Sequence, residues 1–511
     1  MVRRIDGNGS IGERRTVDRL AVVRRNFRAA MIWLHDWSGL IVGWLLYAMA
    51  LSGTLSVFRP EIGAWMRPEL TARHVDAVEA SAAAVRWLSI HAPRSSAWYL
   101  EPANERAPYT LALWEQHGAY IQRTLAPITG APDGIRDTLG GDFFYRFHFE
   151  LQLPYPWGRL IAAIGAMALV LILVTGIIAH RRFFVDFFTF RPGKNQRSWL
   201  DAHNLFGVVA LPFHLMIAVT GAVTLANLMM PWGVQAAYRS DLGAIAHDLN
   251  PASVERTANG RPGRLAPVSP MLREAERRFG EAGLARVTVT SPGDSASIVT
   301  VVSATDDRIG IDSHTISFDG VTGKILAEHI EKRPAVRVFD FLYGLHVARF
   351  AQIVTRWLYF ISGLMLTAVI ATGLHLWTIK RQRRQDGFST ALVERMNAGF
   401  IAGTPVAFCA FFLANRLLPL QMTHRADQEV HILFITWAFV LAAAALRPPQ
   451  QSWITLLGLS ALSCVSVGVI GGWPHDGVGW SVSIVASMLA GGFGFAAQRS
   501  ALRHSGTRRG K

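Results

Sequence analysis

The sequence predicts a polytopic α-helical membrane protein of about eight spans, with an internally duplicated helix–module–helix unit and two small α+β modules outside the bilayer. Three observations predict it. The 511 residues are 51% apolar and only 17% charged, with 16 tryptophans and a mean hydropathy of +0.25, the balance of a membrane bundle with soluble parts. Eight apolar runs approach the ~20 residues that cross a hydrocarbon core. Histidines then recur in register with small residues. His35 lies 18 residues before Gly53 and His203 lies 18 before Gly221, while His148 precedes Thr175 by 27 and His346 precedes Thr372 by 26. A repeat of this kind, with both copies starting on the same side, is that of parallel membrane repeats.

The remaining composition narrows the chemistry. A net charge of +15 would suggest nucleic acid in a soluble protein, but here much of the Arg and Lys flanks apolar runs and sets topology. Cys409 and Cys464 both fall in late spans, which leaves no disulfide framework and no thiolate cluster. No CxxCH occurs, so covalent haem is excluded, and no GxGxxG follows a strand, so no Rossmann-type nicotinamide site is expected.

In chain order, residues 1–28 read as a basic cytoplasmic N-terminus, with Arg24, Arg25 and Arg28 beside an anchored first span, 29–58, rather than a cleaved signal. Residues 59–142 form the first periplasmic module, with a helix-like SAAAVRWLSI and strands at YTLALWEQ and AYIQRTLAP. Residues 143–230 hold spans two (157–180) and three (202–230) with a basic loop between them. Pro154 and Pro156 break any helix carrying His148 from span two. Residues 231–337 form the second module: a helix at MLREAERRFGEAG, two strands around a Pro-Gly turn, and a hairpin at HTISFDGVTGKILAEH turned by Asp319-Gly320 and Thr322-Gly323. Residues 338–385 hold span four and the exit Lys380–Arg384, and 386–511 supply four further spans and a basic tail. Both termini are expected in the cytoplasm of a bacterial inner membrane.

WLHxWxGL at the first span, TGxxxHRR at the end of the second, LDAHN before the third, FLYGLHxxRF before the fourth and the FDxxTGKIL hairpin resemble the PepSY-associated transmembrane family over residues 25–385. The similarity extends to its iron-regulated membrane proteins that act as siderophore-iron reductases. That resemblance implies PepSY-like periplasmic modules set in a bundle that binds b-type haem and passes electrons outward to a ferric siderophore. The last four spans lie outside the motif set.

Non-covalent haem needs imidazoles facing each other across a bundle. With the basic flanks as the inner boundary and a ~1.5 Å rise, His35, His203 and His375 share an inner level, while His148 and His346 share the outer edge. His214, 11 residues beyond His203, lies ~16 Å further out. Two haem b groups are expected, the inner held from among His35, His203 and His375 and the outer from among His148, His346 and His214. The repeat favours His35 with His203 and His148 with His346. His180, at the exit of span two, is a further candidate whose ordinary alternative is a snorkelling side chain. Ser52-Gly53, Thr175-Gly176, Thr220-Gly221 and Thr372-Gly373 read as small-residue helix packing. Arg67, Arg73, Arg136 and Arg146 are candidates to steer an anionic chelate.

The function expected is a haem-containing transmembrane ferric-siderophore reductase, an oxidoreductase fed by quinol or a cytoplasmic or membrane-bound donor. The alternative is a non-redox membrane protein that binds or senses a periplasmic ligand or protein. A permease is disfavoured, because no span carries an internal carboxylate or a broken-helix pair at midplane.

Overall fold

The computed structural model describes residues 9–70, 76–116, 118–180, 191, 196–239, 241–382, 388–471 and 477–509. The basic residues Arg3, Arg4, Arg181, Arg182, Arg383 and Arg384, and the steering candidate Arg73, lie outside the described residues.

Helix α1 (Gly9–Ser56) contains the first span, Asn26–Ser56, and Pro60 starts a new short helix, α2 (Arg59–Trp65). The first module follows as α3 (Ala77–His91), β1 (Ala97–Glu101), β2 (Thr110–Gln116) and β3 (Ala119–Leu125). Asp76 starts α3 by accepting the N–H groups of Val78 at 2.9 Å and Glu79 at 3.3 Å, a cap of the kind whose loss costs about 1 kcal/mol. The chain returns through α4 (Gly141–Glu150) into the second span, α5 (Trp157–Ala179), and the break expected at Pro154 and Pro156 separates the two.

Span three is bent. Its halves, α6 (Gln196–Val209) and α7 (Leu211–Thr224), meet at 68°. Pro212 has no N–H to continue the ladder of α6, so the helix ends and restarts there. The single span read from the sequence, 202–230, is therefore corrected at both its middle and its end, and with it the expectation that no span is a broken-helix pair. Residues after Thr224 form short helices α8 (Ala226–Met229), α9 (Trp232–Tyr238) and α10 (Leu242–Leu249). The second module is α11 (Val268–Phe279), β4 (Leu284–Thr290), β5 (Ile298–Ser303), β6 (His314–Asp319) and β7 (Ile325–Ile330). It returns through α12 (Pro334–Val347) to the fourth span, α13 (Ile353–Gln382). The C-terminal bundle comprises α14 (Phe388–Asn397), joined by a π-turn to α15 (Gly403–Leu417), then α16 (Arg425–Leu446), α17 (Pro449–Ile470) and α18 (Gly477–Arg509). Among the described residues seven helices are long and apolar enough to cross a membrane, and the bent pair supplies an eighth crossing if taken as one span.

The two modules are one sheet. Its order is β3-β2-β1-β4-β5-β6-β7, antiparallel throughout, and the seam is β1 against β4, with Ala97 opposite Thr290 and Leu100 opposite Val287. Alternation places Trp98, Leu100, Val287, Val289, Val299, Val301, Ile316 and Phe318 on one face, where α3 and α11 cover them. A shared sheet puts both inserted segments at the same end of the bundle.

Candidate cofactor sites

The inner pair stands on α1 and α6. His35 and His203 have ring centroids 6.4 Å apart with planes at 77°. Each ring is held through Nδ1 by a neighbouring helix: His35 against the Ile172 carbonyl at 2.9 Å, His203 against the Val369 carbonyl at 3.0 Å and the Thr372 hydroxyl at 3.1 Å. A carbonyl only accepts, so Nδ1 carries the proton and Nε2 keeps its lone pair, the arrangement that orients a ligating imidazole.

The outer pair stands on α4 and α12. His148 and His346 have centroids 6.1 Å apart and planes at 22°. His148 Nδ1 donates to the Met49 carbonyl at 2.7 Å, and His346 Nδ1 lies 3.2 Å from the Thr220 hydroxyl. Burial pushes the His148 imidazolium below its usual range, and burial together with the neighbouring His148 pushes His346 down to about 3. Both rings are thus neutral near pH 7, the form that binds a metal.

One local rule repeats at His35, His203 and His148: the carbonyl that takes Nδ1 is followed after three residues by Ser or Thr and after four by Gly. At His346 the same Thr-Gly pair, Thr220-Gly221, faces the ring. The glycine faces the ring in every case. An added Cβ on Gly53 would lie 2.7 Å from His148, on Gly221 2.8 Å from His346, on Gly176 3.1 Å from His35 and on Gly373 3.2 Å from His203. The four small-residue pairs do more than bring helices together, and their residues are the functional positions that sequence reasoning missed. Their regular spacing from the histidines was the available signal.

The gap between rings suits a shared metal. A metal–imidazole bond of ~2.0 Å and a ring radius of ~1.15 Å place the centroids of trans ligands about 6.3 Å apart. Among the described residues no group of three His, Cys, Asp or Glu could complete an ion's shell, so the donor set suits a macrocycle that brings its own equatorial ligands. Beside the inner pair lies a cavity of about 370 Å³, within the range of cofactor sites. Its apolar part is lined by Gly39, Gly43 and Leu46, and its polar end by Asp36, His180 and Lys380. Lys380 bonds Asp36 at 2.6 Å, so a cation and the His180 ring are at hand for a haem's carboxylates.

The other candidates sit elsewhere. His180 lines the polar end of the inner cavity, one residue past Ala179, whose carbonyl takes two bonds from Arg28. His375 lies against Trp199 at 4.7 Å and Trp453 at 6.0 Å, outside the cavity lining. His214 is fully buried and turns Nε2 to the Ser362 carbonyl at 3.3 Å, tying α7 to α13. The steering role suggested for Arg67 and Arg136 is corrected. Arg67 is 3% exposed and donates to the carbonyls of Gly63 and Thr138, and Arg136 is paired with Glu69. Arg146 is exposed but paired with Glu150.

Fold and site together define a polytopic membrane protein in which each half of a duplicated bundle supplies one imidazole to each of two paired sites. The family described as PepSY-associated TM region matches residues 32–380, and the chain belongs to it. A protein of Pseudomonas aeruginosa described as uncharacterized is 25% identical over 352 residues, covering 64% of this chain and 86% of that protein.

Proposed function

We infer that the protein is a transmembrane reductase of the bacterial inner membrane that binds two b-type haems and delivers electrons to a ferric siderophore in the periplasm. The observation that carries this reading is the pair of repeat-related histidine couples, whose ring centroids stand 6.4 and 6.1 Å apart, a separation one iron could bridge. His35 and His203 would hold the inner haem, His148 and His346 the outer. From His35 to Met49, the residue that anchors His148, α1 climbs 14 residues, or ~21 Å, so the two sites occupy two depths of the bundle. Each haem supplies a reversible one-electron couple. The chain's own residues fix the imidazole tautomers, exclude water and set the approach of helices through the four glycines.

The basic flanks favour a periplasmic position for the sheet by the positive-inside rule. There Tyr145 and Tyr343, each three residues before a histidine of the outer pair, lie beside one another. Arg59 stacks over Tyr145 at 4.5 Å and Arg159 over Phe149 at 5.3 Å, each also paired with a carboxylate, Asp142 and Glu150, and Arg349 is exposed beside them. An aromatic rim with the exposed charge of Arg349 suits an anionic iron chelate. One electron converts ferric to ferrous ion, which hard oxygen donors hold less firmly, and the chelator is left intact. Quinol or a cytoplasmic or membrane-bound partner is the donor.

The test uses purified protein in vesicles. A Soret band and two haems per chain are expected. After reduction by dithionite and removal of excess reductant, an external ferric siderophore should reoxidise the haem faster than the metal-free chelator does. Equal rates would refute the reductase, and absence of haem would refute the cofactor assignment and leave ligand sensing.

A further inference from the structure

The four C-terminal spans carry none of the paired histidines, yet they grip the half of the protein that holds His148. Arg425 and Glu429, one turn apart on α16, form an ion pair with both side chains fully buried. Arg425 also donates to the carbonyls of Asn415 at 2.6 Å, Pro419 at 3.2 Å and Asp137 at 3.1 Å. Glu429 accepts from Asn415 Nδ2 at 2.9 Å and from the hydroxyl of Thr138. Thr138 in turn accepts the N–H of Gly140 at 3.1 Å, and Gly140 is the N-cap of α4. The chain of bonds therefore runs from the C-terminal bundle to the N-cap of the helix that carries His148. Arg136 repeats the grip two residues earlier, donating to the Asn415 carbonyl at 2.5 Å.

A second contact acts on the body of the same helix. Phe143, Phe144 and Phe147 are buried against α15 and α16, with Phe143 4.7 Å from Phe411 and Phe144 5.1 Å from Phe408. The repeat-related helix α12 lacks this cover. Phe341, which stands where Phe143 stands relative to its histidine, is 44% exposed, and Val338 is 60% exposed. A buried ion pair contributes little net stability but fixes geometry, because only one arrangement satisfies both charges. We propose that the C-terminal bundle is a positioning device for the outer site, with Glu429, Arg425 and Thr138 as positioning residues that set α4, and so His148, against His346. The inference rests on reading the histidine pairs as haem sites.

The experiment separates the two ideas. In full-length protein with Cys409→Ser and Cys464→Ser, spin labels are placed at Arg146→Cys on α4 and Val338→Cys on α12, and their distance distribution is measured before haem is added. Thr138→Val, which keeps shape and leaves Asn415 and Arg425 to satisfy Glu429, should at least double the width of that distribution, and Thr138→Ser should restore it. In the haem-loaded protein Thr138→Val should lower outer occupancy about tenfold, read from the low-spin signals of the two sites, with the inner site unchanged. Glu429→Gln should act in the same direction. An unchanged label width, or equal loss from both sites, would overturn the proposal. Wild-type protein that takes up no haem would refute the haem reading, and the label width would still decide whether the bundle positions α4.

Discussion

The glycines that face the imidazoles make a quantitative prediction, because the four close approaches differ. Carbon atoms in contact prefer about 3.5 Å or more. A methyl group added at Gly53 would lie 2.7 Å from His148, so the ring must retreat by ~0.8 Å, whereas one added at Gly373 would lie 3.2 Å from His203 and asks for only ~0.3 Å. His148 cannot retreat freely, since Nδ1 is pinned at 2.7 Å to Met49 on the same helix as Gly53. Breaking that bond in a buried site costs ~1–3 kcal/mol, or roughly one to two decades of affinity for whatever the imidazole ligates. Helix propensity works the other way, because Gly→Ala in a helix interior is worth up to ~1 kcal/mol of stability. The first effect equals or exceeds the second, so Gly53→Ala should yield a protein that, free of cofactor, is no more resistant to heat than the parent, and that holds about half the haem, with the outer signal lost. Gly373→Ala should keep both. Haem per protein by the pyridine haemochrome method, beside thermal melts of cofactor-free protein, checks this. Full and spectrally unchanged haem in Gly53→Ala, or a greater loss in Gly373→Ala than in Gly53→Ala, would refute the argument.

His35→Ala and His203→Ala should each remove the same haem, His148→Ala and His346→Ala the other, while His214→Ala and His375→Ala should retain both; haem titration of the six variants reads this directly. The ring planes, at 77° in the inner pair and 22° in the outer, should give two distinct low-spin ferric resonances, because crossed imidazoles leave the iron dπ orbitals nearly degenerate and parallel ones split them. A single signal would count against one site. Asp340 supplies a pH test: burial, then the nearby Asp312 and Glu331, push its carboxyl from 3.8 up to about 6. A raised carboxyl favours the protonated form in the fold, so its penalty is full above pH 6 and gone below pH 3.8. Asp340→Asn should stabilise the protein by about 1 kcal/mol at pH 7.5, after allowance for solvent screening, and by nothing at pH 3.8, as measured by melts at both values.

Much of this architecture was legible in the chain because it is written in local periods. Apolar runs located most of the helices long enough to span, and the repeated distance from histidine to glycine named the histidine couples that the fold brings within 6.4 and 6.1 Å. What escaped was non-local. Strand β1, Ala97–Glu101, has too short an apolar pattern to stand out, yet it is the strand that joins the two modules, pairing with residues almost two hundred positions away. Arg67 and Arg136 looked like surface charge because composition says nothing about burial, and only the fold shows their carbonyl and carboxylate partners. The bend at Pro212 follows from proline chemistry, but its 68° depends on the helices packed around it. The Ser/Thr-Gly pairs were visible and were read as helix packing, since the ring that each one faces comes from another helix.

The register across β1 and β4 is antiparallel: Ala97 meets Thr290 and Leu100 meets Val287, three steps along each strand. Two copies of one chain meeting about a twofold axis make contact in this isologous way. In this chain the same kind of contact lies inside one molecule, between its two halves. Each imidazole couple takes one ring from either half, so a lone half has no complete site. Any ligand that bridges a couple would be captured only once the two halves have found each other, and would add its binding free energy to their association.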